Sequence, residues 1–404
     1  AFMQEAWFSN AVSQAQGAPW PEQLPVENFL QASGVIKSGK PSDSADLPLC
    51  LFDVRSPCEF AKGHIPGAWN VPLFTDEQRA HIGTVFKKNG REVAVRIGVK
   101  FVSESWRSLV EAIFQVLRDA GRLPQPHEQD ARGGASAIDP QAYVYCFRGG
   151  MRSGAVCYLL KEAGVQACQL QGGNKAFRHW IQDSFDIPRQ LCVVSGRTGT
   201  GKSDILHSLE RLGRQVLDLE HIAKHLGSAF GHLIHGIEAQ PTPENFENEL
   251  ALAWRSFNPS ELVFIEDEAK NCGRCTIPPK LFAQKQAARR IVEVQCSIDD
   301  RLDRLVTTYG QAQSSDLVAC ARSISKQFGP ERTTQFIAAV GHGDLRTASG
   351  IALSYYDKLY DKFLTTKPHA GERVVVNTVG CNSDEHALAV AAAADAITPT
   401  DTTD

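Results

Sequence analysis

The sequence lacks any run approaching the ~18 consecutive apolar residues that a membrane span needs. It also lacks a strong charge of either sign: 42 Lys and Arg stand against 46 Asp and Glu, a formal net charge of -4. Such a chain is not a polycation, so any nucleic acid it binds must be met by a local basic patch rather than by its overall field. It lacks the spacing of a disulfide framework. Its 11 cysteines are odd in number and scattered, which points to reduced thiols in a cytoplasmic setting. The opening AFMQEAWFSNAVSQAQ has neither the basic nor the apolar region of a signal peptide, although a chain opening on alanine leaves room for an upstream targeting segment. There is no internal repeat. What is present, 43% hydrophobic and 22% charged residues, has the balance of a soluble globular protein. A length of 404 residues suggests two or three domains.

Residues 1–47 read as a partly flexible N-terminal extension, with an amphipathic start followed by a Ser/Gly/Pro/Asp-rich stretch. LPLCLFDV is a short apolar run stopping at Asp53, the pattern of a buried strand. Trp106, Leu109, Ile113, Phe114 and Leu117 recur at helical spacing, and Ser103 or Ser105 would cap that helix. After a Pro/Gly-rich loop, AYVYC is a further strand, and Arg152 to Ala163 is a helix ended by Gly164. A second series of apolar runs follows: LCVVSG, QVLDLE, LVFIED, RIVEVQC and RVVVNT. Strands alternating with helices predict βαβ units and parallel sheets. The expected organisation is two α/β domains, 48–185 and 186–380, followed by a C-terminal helix and frayed tail over 381–404.

Two strings carry the first candidate site. DVRSPCEFAKGHIPGAWNVP spans Asp53 to Pro72, and Cys146-Phe-Arg-Gly-Gly-Met-Arg-Ser lies between a strand and a helix. Consecutive backbone N–H groups in a Gly-containing loop form a concave anion site, and the helix behind it adds its positive end. Arg148 and Arg152 add full charges. A thiol at the mouth of such a loop has a depressed pKa and is a good nucleophile. Most cysteines are instead small buried hydrophobes, as Cys157, Cys168 and Cys192 are expected to be. These strings resemble the rhodanese family, with Asp53, Arg55, Glu59, Gly63, His64, Gly67 and Asn70 in step with its N-terminal signature; the resemblance implies a persulfide-carrying Cys146. The interval from Asp53 to Cys146 exceeds what a plain rhodanese domain needs. The extra segment is either a surface elaboration or a docking element.

The second candidate site is Gly196-Arg-Thr-Gly-Thr-Gly-Lys202-Ser203, a match to the phosphate-binding pattern G-x-x-x-x-G-K-[ST] set between a strand and a helix. The amides of Gly196, Gly199 and Gly201 and their neighbours would wrap a diphosphate, Lys202 would neutralise it, and Ser203 would be placed to hold Mg²⁺. Acidic partners fall in LDLE (Asp218, Glu220) and in FIEDE (Glu266, Asp267, Glu268), with Glu266 or Asp267 at the position of a cation-organising carboxylate. Arg301 and Arg304 suggest either a cationic lid or a solvated helix face. Cys272-x-x-Cys275, with no second pair, reads as an ordinary loop rather than a metal site. No resident metal is expected from the sequence, Mg²⁺ at Ser203 aside.

A thiol carrier fused to a phosphate-binding domain resembles the tRNA 2-selenouridine synthases. The resemblance covers roughly Leu51 to Tyr360 and includes LDLEHIAKHLGSAFG, ENFENEL, FIEDEAK and YYDKLY. It implies a rhodanese-like parallel-sheet domain followed by a P-loop NTPase-like one. It further implies a transferase that replaces the 2-thio group of a tRNA wobble uridine by selenium from selenophosphate, through an S-geranyl intermediate made from geranyl diphosphate. His225 and Ser228 would lie near the phosphate loop. Lys280, Lys285, Arg289, Arg290, Arg322 and Lys326 are candidates for tRNA contact, and Tyr355, Tyr356 and Tyr360 for stacking on the base or for core packing. The main alternative is an ATP-dependent kinase or nucleotidase with a sulfurtransferase domain; a second is a non-catalytic anion-binding module.

Overall fold

The computed structural model describes residues 21–36, 50–123, 141–225, 230, 233, 240–366 and 371–397. The chain divides between residues 182 and 183 into two compact units.

The first unit is built on a parallel sheet of β1 (Gln23–Leu24), β2 (Leu51–Asp53), β3 (Trp69–Asn70), β4 (Gln141–Tyr145) and β5 (Gln166–Leu170) in the order β1-β5-β4-β2-β3. Phe52, Val144, Val156 and Leu160 form its core together with Val102, Leu109, Ile113 and Leu117. The sheet begins earlier than residue 48. Gln23 and Leu24 add an edge strand to β5, and Phe29 and Leu30, wholly buried, anchor the helix Val26–Ala32 that follows. The segment between β3 and β4 is helical from Asp76 to Asp119, broken at Gly90, whose φ of 83° takes the left-handed region. It starts at the Thr75 capping box rather than at Ser103 or Ser105. Those two serines lie inside the helix and donate back to the Lys100 and Phe101 carbonyls. The extra segment therefore supplies core residues instead of decorating the surface.

The second unit holds a parallel sheet of β6 (Gln190–Ser195), β7 (Gln215–Leu217), β8 (Leu262–Glu266), β11 (Arg290–Gln295) and β12 (Glu372–Asn377), ordered β12-β11-β6-β8-β7. A small hairpin, β9 (Asn271–Cys272) and β10 (Cys275–Thr276), follows β8. Each of the five apolar runs of the sequence is one strand of this sheet, and β6 lies at its centre. Helices Lys202–Arg211 and Ser383–Ala396 cover one face, through Ile205, Leu206, Ala387 and Val390. The C-terminal helix is thus part of this unit's core. Residues 298–366, between β11 and β12, form helices with an apolar core of their own around Phe328, Phe336 and Val340. No described helix is long and apolar enough to cross a membrane.

Candidate active site

Cys146 follows β4 directly, at the carboxyl end of the first sheet, where α/β folds place their ligands. Only 3% of its surface is exposed. The Ser153 hydroxyl donates to its sulfur at 3.1 Å, and Gln169 Nε2 donates in turn to that hydroxyl at 2.6 Å. Burial alone would raise the thiol pKa. The Ser153 hydroxyl, the Arg152 charge and the Ser153 and Gly150 amides outweigh it, and the pKa falls below its ordinary value. Burial, aided by Glu22, pushes Cys168 up to about 11, and burial pushes Cys192 up to about 12 against the weaker pull of Arg290 and Arg214. Burial likewise raises Cys157, outweighing a backbone hydrogen bond that lowers it.

The loop is held from behind. A Cβ on Gly149 would come within 2.4 Å of the Leu170 carbonyl, and one on Gly173 within 2.3 Å of the Cys146 carbonyl. Both glycines take positive φ. The amides of Asn174 and Lys175 donate to the carbonyls of Cys146 and Phe147. Arg148 is exposed, its guanidinium 5.8 Å from the Phe147 ring centre. Arg152 is engaged by Glu59 at 2.7 Å, so it reaches the thiol's field already neutralised in part. Asp53 is structural: sealed from solvent, it grips Arg55 through both oxygens, and Arg55 donates onward to the Gly63 carbonyl.

The second site emerges from β6. Gly196, Gly199 and Gly201 all take positive φ, as a loop wrapped round an anion requires. Lys202 Nζ donates to the Gly196 carbonyl at 2.8 Å, bridging the mouth of the loop. Ser203 Oγ donates to Glu220 Oε2 at 3.0 Å. Glu220, Glu266 and Glu268 each offer a carboxylate oxygen within 4.8 Å of the others. Glu266 accepts from the Glu220 amide, while its Oε1 is buried with no hydrogen-bond partner among the described residues. Burial, with Glu220, Asp218 and Glu268 nearby, raises the Glu266 pKa far above the ordinary range. Glu220 and Glu268 complete the cluster; their signal was the placement of LDLE and EDE at the ends of adjacent strands.

Several expected residues have other roles. Asp267 accepts from Ser195 and pairs with Lys285, so both its oxygens are engaged outside the Glu220, Glu266 and Glu268 cluster. Lys285 is wholly buried and cannot face RNA. Lys280 pairs with Asp186, and Arg290 donates to the Ile397 carbonyl; Arg289, Arg322 and Lys326 are exposed. Asp218 caps the helix Leu219–Ala223 and pairs with His207. The His225 amide donates to the Glu220 carbonyl, and Ser228 lies outside the described residues. Arg301 braces the loop from beneath, donating to the Thr198 carbonyl while Asp357 neutralises it. Arg304 donates to the Gly199 carbonyl. Tyr355 packs edge-on to Phe328, and the Tyr360 hydroxyl meets Ser195 Oγ at 2.6 Å. Cys272 and Cys275 face each other across the β9–β10 hairpin, both buried and both free thiols.

Residues 189–339 match the family of the tRNA 2-selenouridine synthase AAA domain, and residues 38–98 match the rhodanese-like domain family, leaving Cys146 beyond that second match. A tRNA 2-selenouridine synthase of Pseudomonas putida (strain GB-1) is 34% identical over 280 residues, 68% of each chain. One of Pseudomonas entomophila (strain L48) is 32% identical over 350 residues, 78% of this chain and 86% of its own. One of Shewanella halifaxensis (strain HAW-EB4) is 34% identical over 318 residues, 78% and 77% of the two chains. With its rhodanese-like unit followed by a phosphate-loop unit, this chain belongs to the tRNA 2-selenouridine synthase family.

Proposed function

We propose that the protein replaces sulfur by selenium at C2 of a 2-thiouridine wobble base in tRNA, using geranyl diphosphate and selenophosphate. Sulfur leaves a pyrimidine C2 poorly, and alkylation makes it a better leaving group. In the first step the base sulfur attacks C1 of the geranyl chain, the C–O bond breaks, and the electron pair departs with pyrophosphate. The amides of Gly196 to Ser203 and the Lys202 ammonium stabilise that charge. In the second, selenium from selenophosphate bonds to C2, the C2–S bond breaks, and the geranyl thiol leaves. The phosphoryl group passes to water as phosphate. Cys146, acidified by Ser153, takes part in this exchange as carrier or nucleophile.

Ser203, Glu220, Glu266 and Glu268 fit a divalent cation such as Mg²⁺, because Glu266 Oε1 is buried without a donor and three carboxylates converge there. Such an ion would offset diphosphate charge. For the tRNA, Arg322 and Lys326 are among the exposed cations that phosphates would meet.

The observation that carries this reading is an acidified cysteine and a closed phosphate loop together in one member of this family. Mass spectrometry of wobble nucleosides tests it. Cys146→Ser should abolish 2-selenouridine while S-geranyl-2-thiouridine persists, and Lys202→Ala should lower both. Unchanged levels of both nucleosides in cells lacking the gene would refute it.

A further inference from the structure

The helical block between β11 and β12 encloses an apolar cleft. Its walls include Leu305, Tyr309, Phe336, Val340, Ala348 and Tyr356, and Thr198 of the phosphate loop forms part of the same wall. The loop touches this wall at a second point, since a Cβ on Gly199 would lie 3.4 Å from Leu305 Cγ. The cleft is partly open to solvent and has a cavity volume of about 40 Å³. No lining residue among the described ones is charged or carries an amide. A nucleotide base needs several polar partners for its ring edges, and the described side chains of this cleft offer only the hydroxyls of Thr198, Tyr309, Ser349 and Tyr356. A dry apolar cavity accepts hydrocarbon instead.

We propose that this cleft holds the hydrocarbon chain of a diphosphate whose head sits in the phosphate loop. The inference rests on the reading of the second unit as a prenyl diphosphate site and assigns the residues that select the chain. Thr198 marks where head becomes tail. Leu305, Phe336 and Val340 take methyl and methylene groups, and the depth of the cleft sets chain length. Ala348 is a small lining residue whose enlargement closes it.

Equilibrium binding to the full-length protein tests this with inorganic pyrophosphate, geranyl diphosphate and the longer farnesyl diphosphate. Geranyl diphosphate should bind at least about a hundredfold more tightly than pyrophosphate, since each methylene removed from water contributes roughly fourfold. Ala348→Phe should reduce that preference to about tenfold or less, with pyrophosphate affinity unchanged. Phe336→Ala should shift preference towards the farnesyl chain, a gain that a misfolded protein cannot show. If both variants keep the wild-type preference, the chain lies elsewhere; the cleft assignment fails and the prenyl donor survives. If the wild type binds all three ligands equally, the prenyl donor reading fails and this inference with it. Should Ala348→Phe lose pyrophosphate as well, Phe336→Ala decides: unaltered selectivity overturns the assignment.

Discussion

Lys285 Nζ lies 3.1 Å from Asp267 Oδ1, and both side chains are wholly sealed from solvent. A second donation from the same ammonium, at 2.5 Å to the Glu268 carbonyl, fixes the chain that carries Glu266 and Glu268 after β8. Leaving one charge of such a pair without its partner costs roughly 3–5 kcal/mol. Lys285→Met should therefore lower the melting temperature of the second unit by about 10 °C, measured by calorimetry on the full chain. The double change Lys285→Met with Asp267→Asn should recover most of it. A single variant as stable as wild type would show the pair to be dispensable.

Ser153 sets the state of the nucleophile. Ser153→Ala removes the hydroxyl from Cys146 and leaves Gln169 Nε2 with only the Gly150 carbonyl. The thiol pKa should rise by about one unit, the worth of a hydrogen bond to a charged group. The signal to follow is the ultraviolet thiolate absorbance that Cys146→Ser abolishes. An unmoved midpoint would assign the depression to Arg152 and the loop amides alone.

The Glu220–Glu266–Glu268 cluster makes stability depend on pH. Glu266 in the fold keeps a proton that the unfolded chain gives up near its ordinary value of about 4.3. The folded state then binds more protons, so stability falls as pH rises from that value through the raised one. Thermal unfolding in chelator should show this decline above about pH 5, and Glu266→Gln should reduce it. Added Mg²⁺ should oppose the decline by favouring the ionised cluster. A slope that neither changes would disprove the site.

Gly173 tests how the cysteine loop is fastened. Its φ of 60° and the 2.3 Å approach of a Cβ to the Cys146 carbonyl leave no room for a side chain. Gly173→Ala should destabilise the first unit by about 1–3 kcal/mol and slow selenium incorporation, as followed by chemical denaturation and nucleoside analysis. Full activity in this variant would show that the loop tolerates displacement.

The strands and both loops were legible because their chemistry is local. Short apolar runs ending in Asp53, Cys146, Ser195 and Glu266 mark strand ends, and glycines at fixed spacing mark anion-wrapping turns. What escaped depends on tertiary pairing. Lys285 looks like a surface cation in KLFAQKQ, and only the fold brings Asp267 against it. Ser153 is an ordinary helix-start residue until the loop turns its hydroxyl to Cys146. The true start of the long helix was hidden because charged residues around Gly90 blur the apolar stripe, although Thr75 and Gln78 spell a capping box. The edge strand at Gln23 was too short to show a period.

Residues 298–366 depart the sheet after β11 and return as β12 immediately beside it. An excursion between adjacent strands can change in length without reordering the sheet, yet Arg301 and Arg304 near its start and Tyr360 near its end hold the glycine loop and the end of β6. The helices between those anchors are the part of the unit free to drift in length and sequence, whereas the anchors must keep step with the loop they brace.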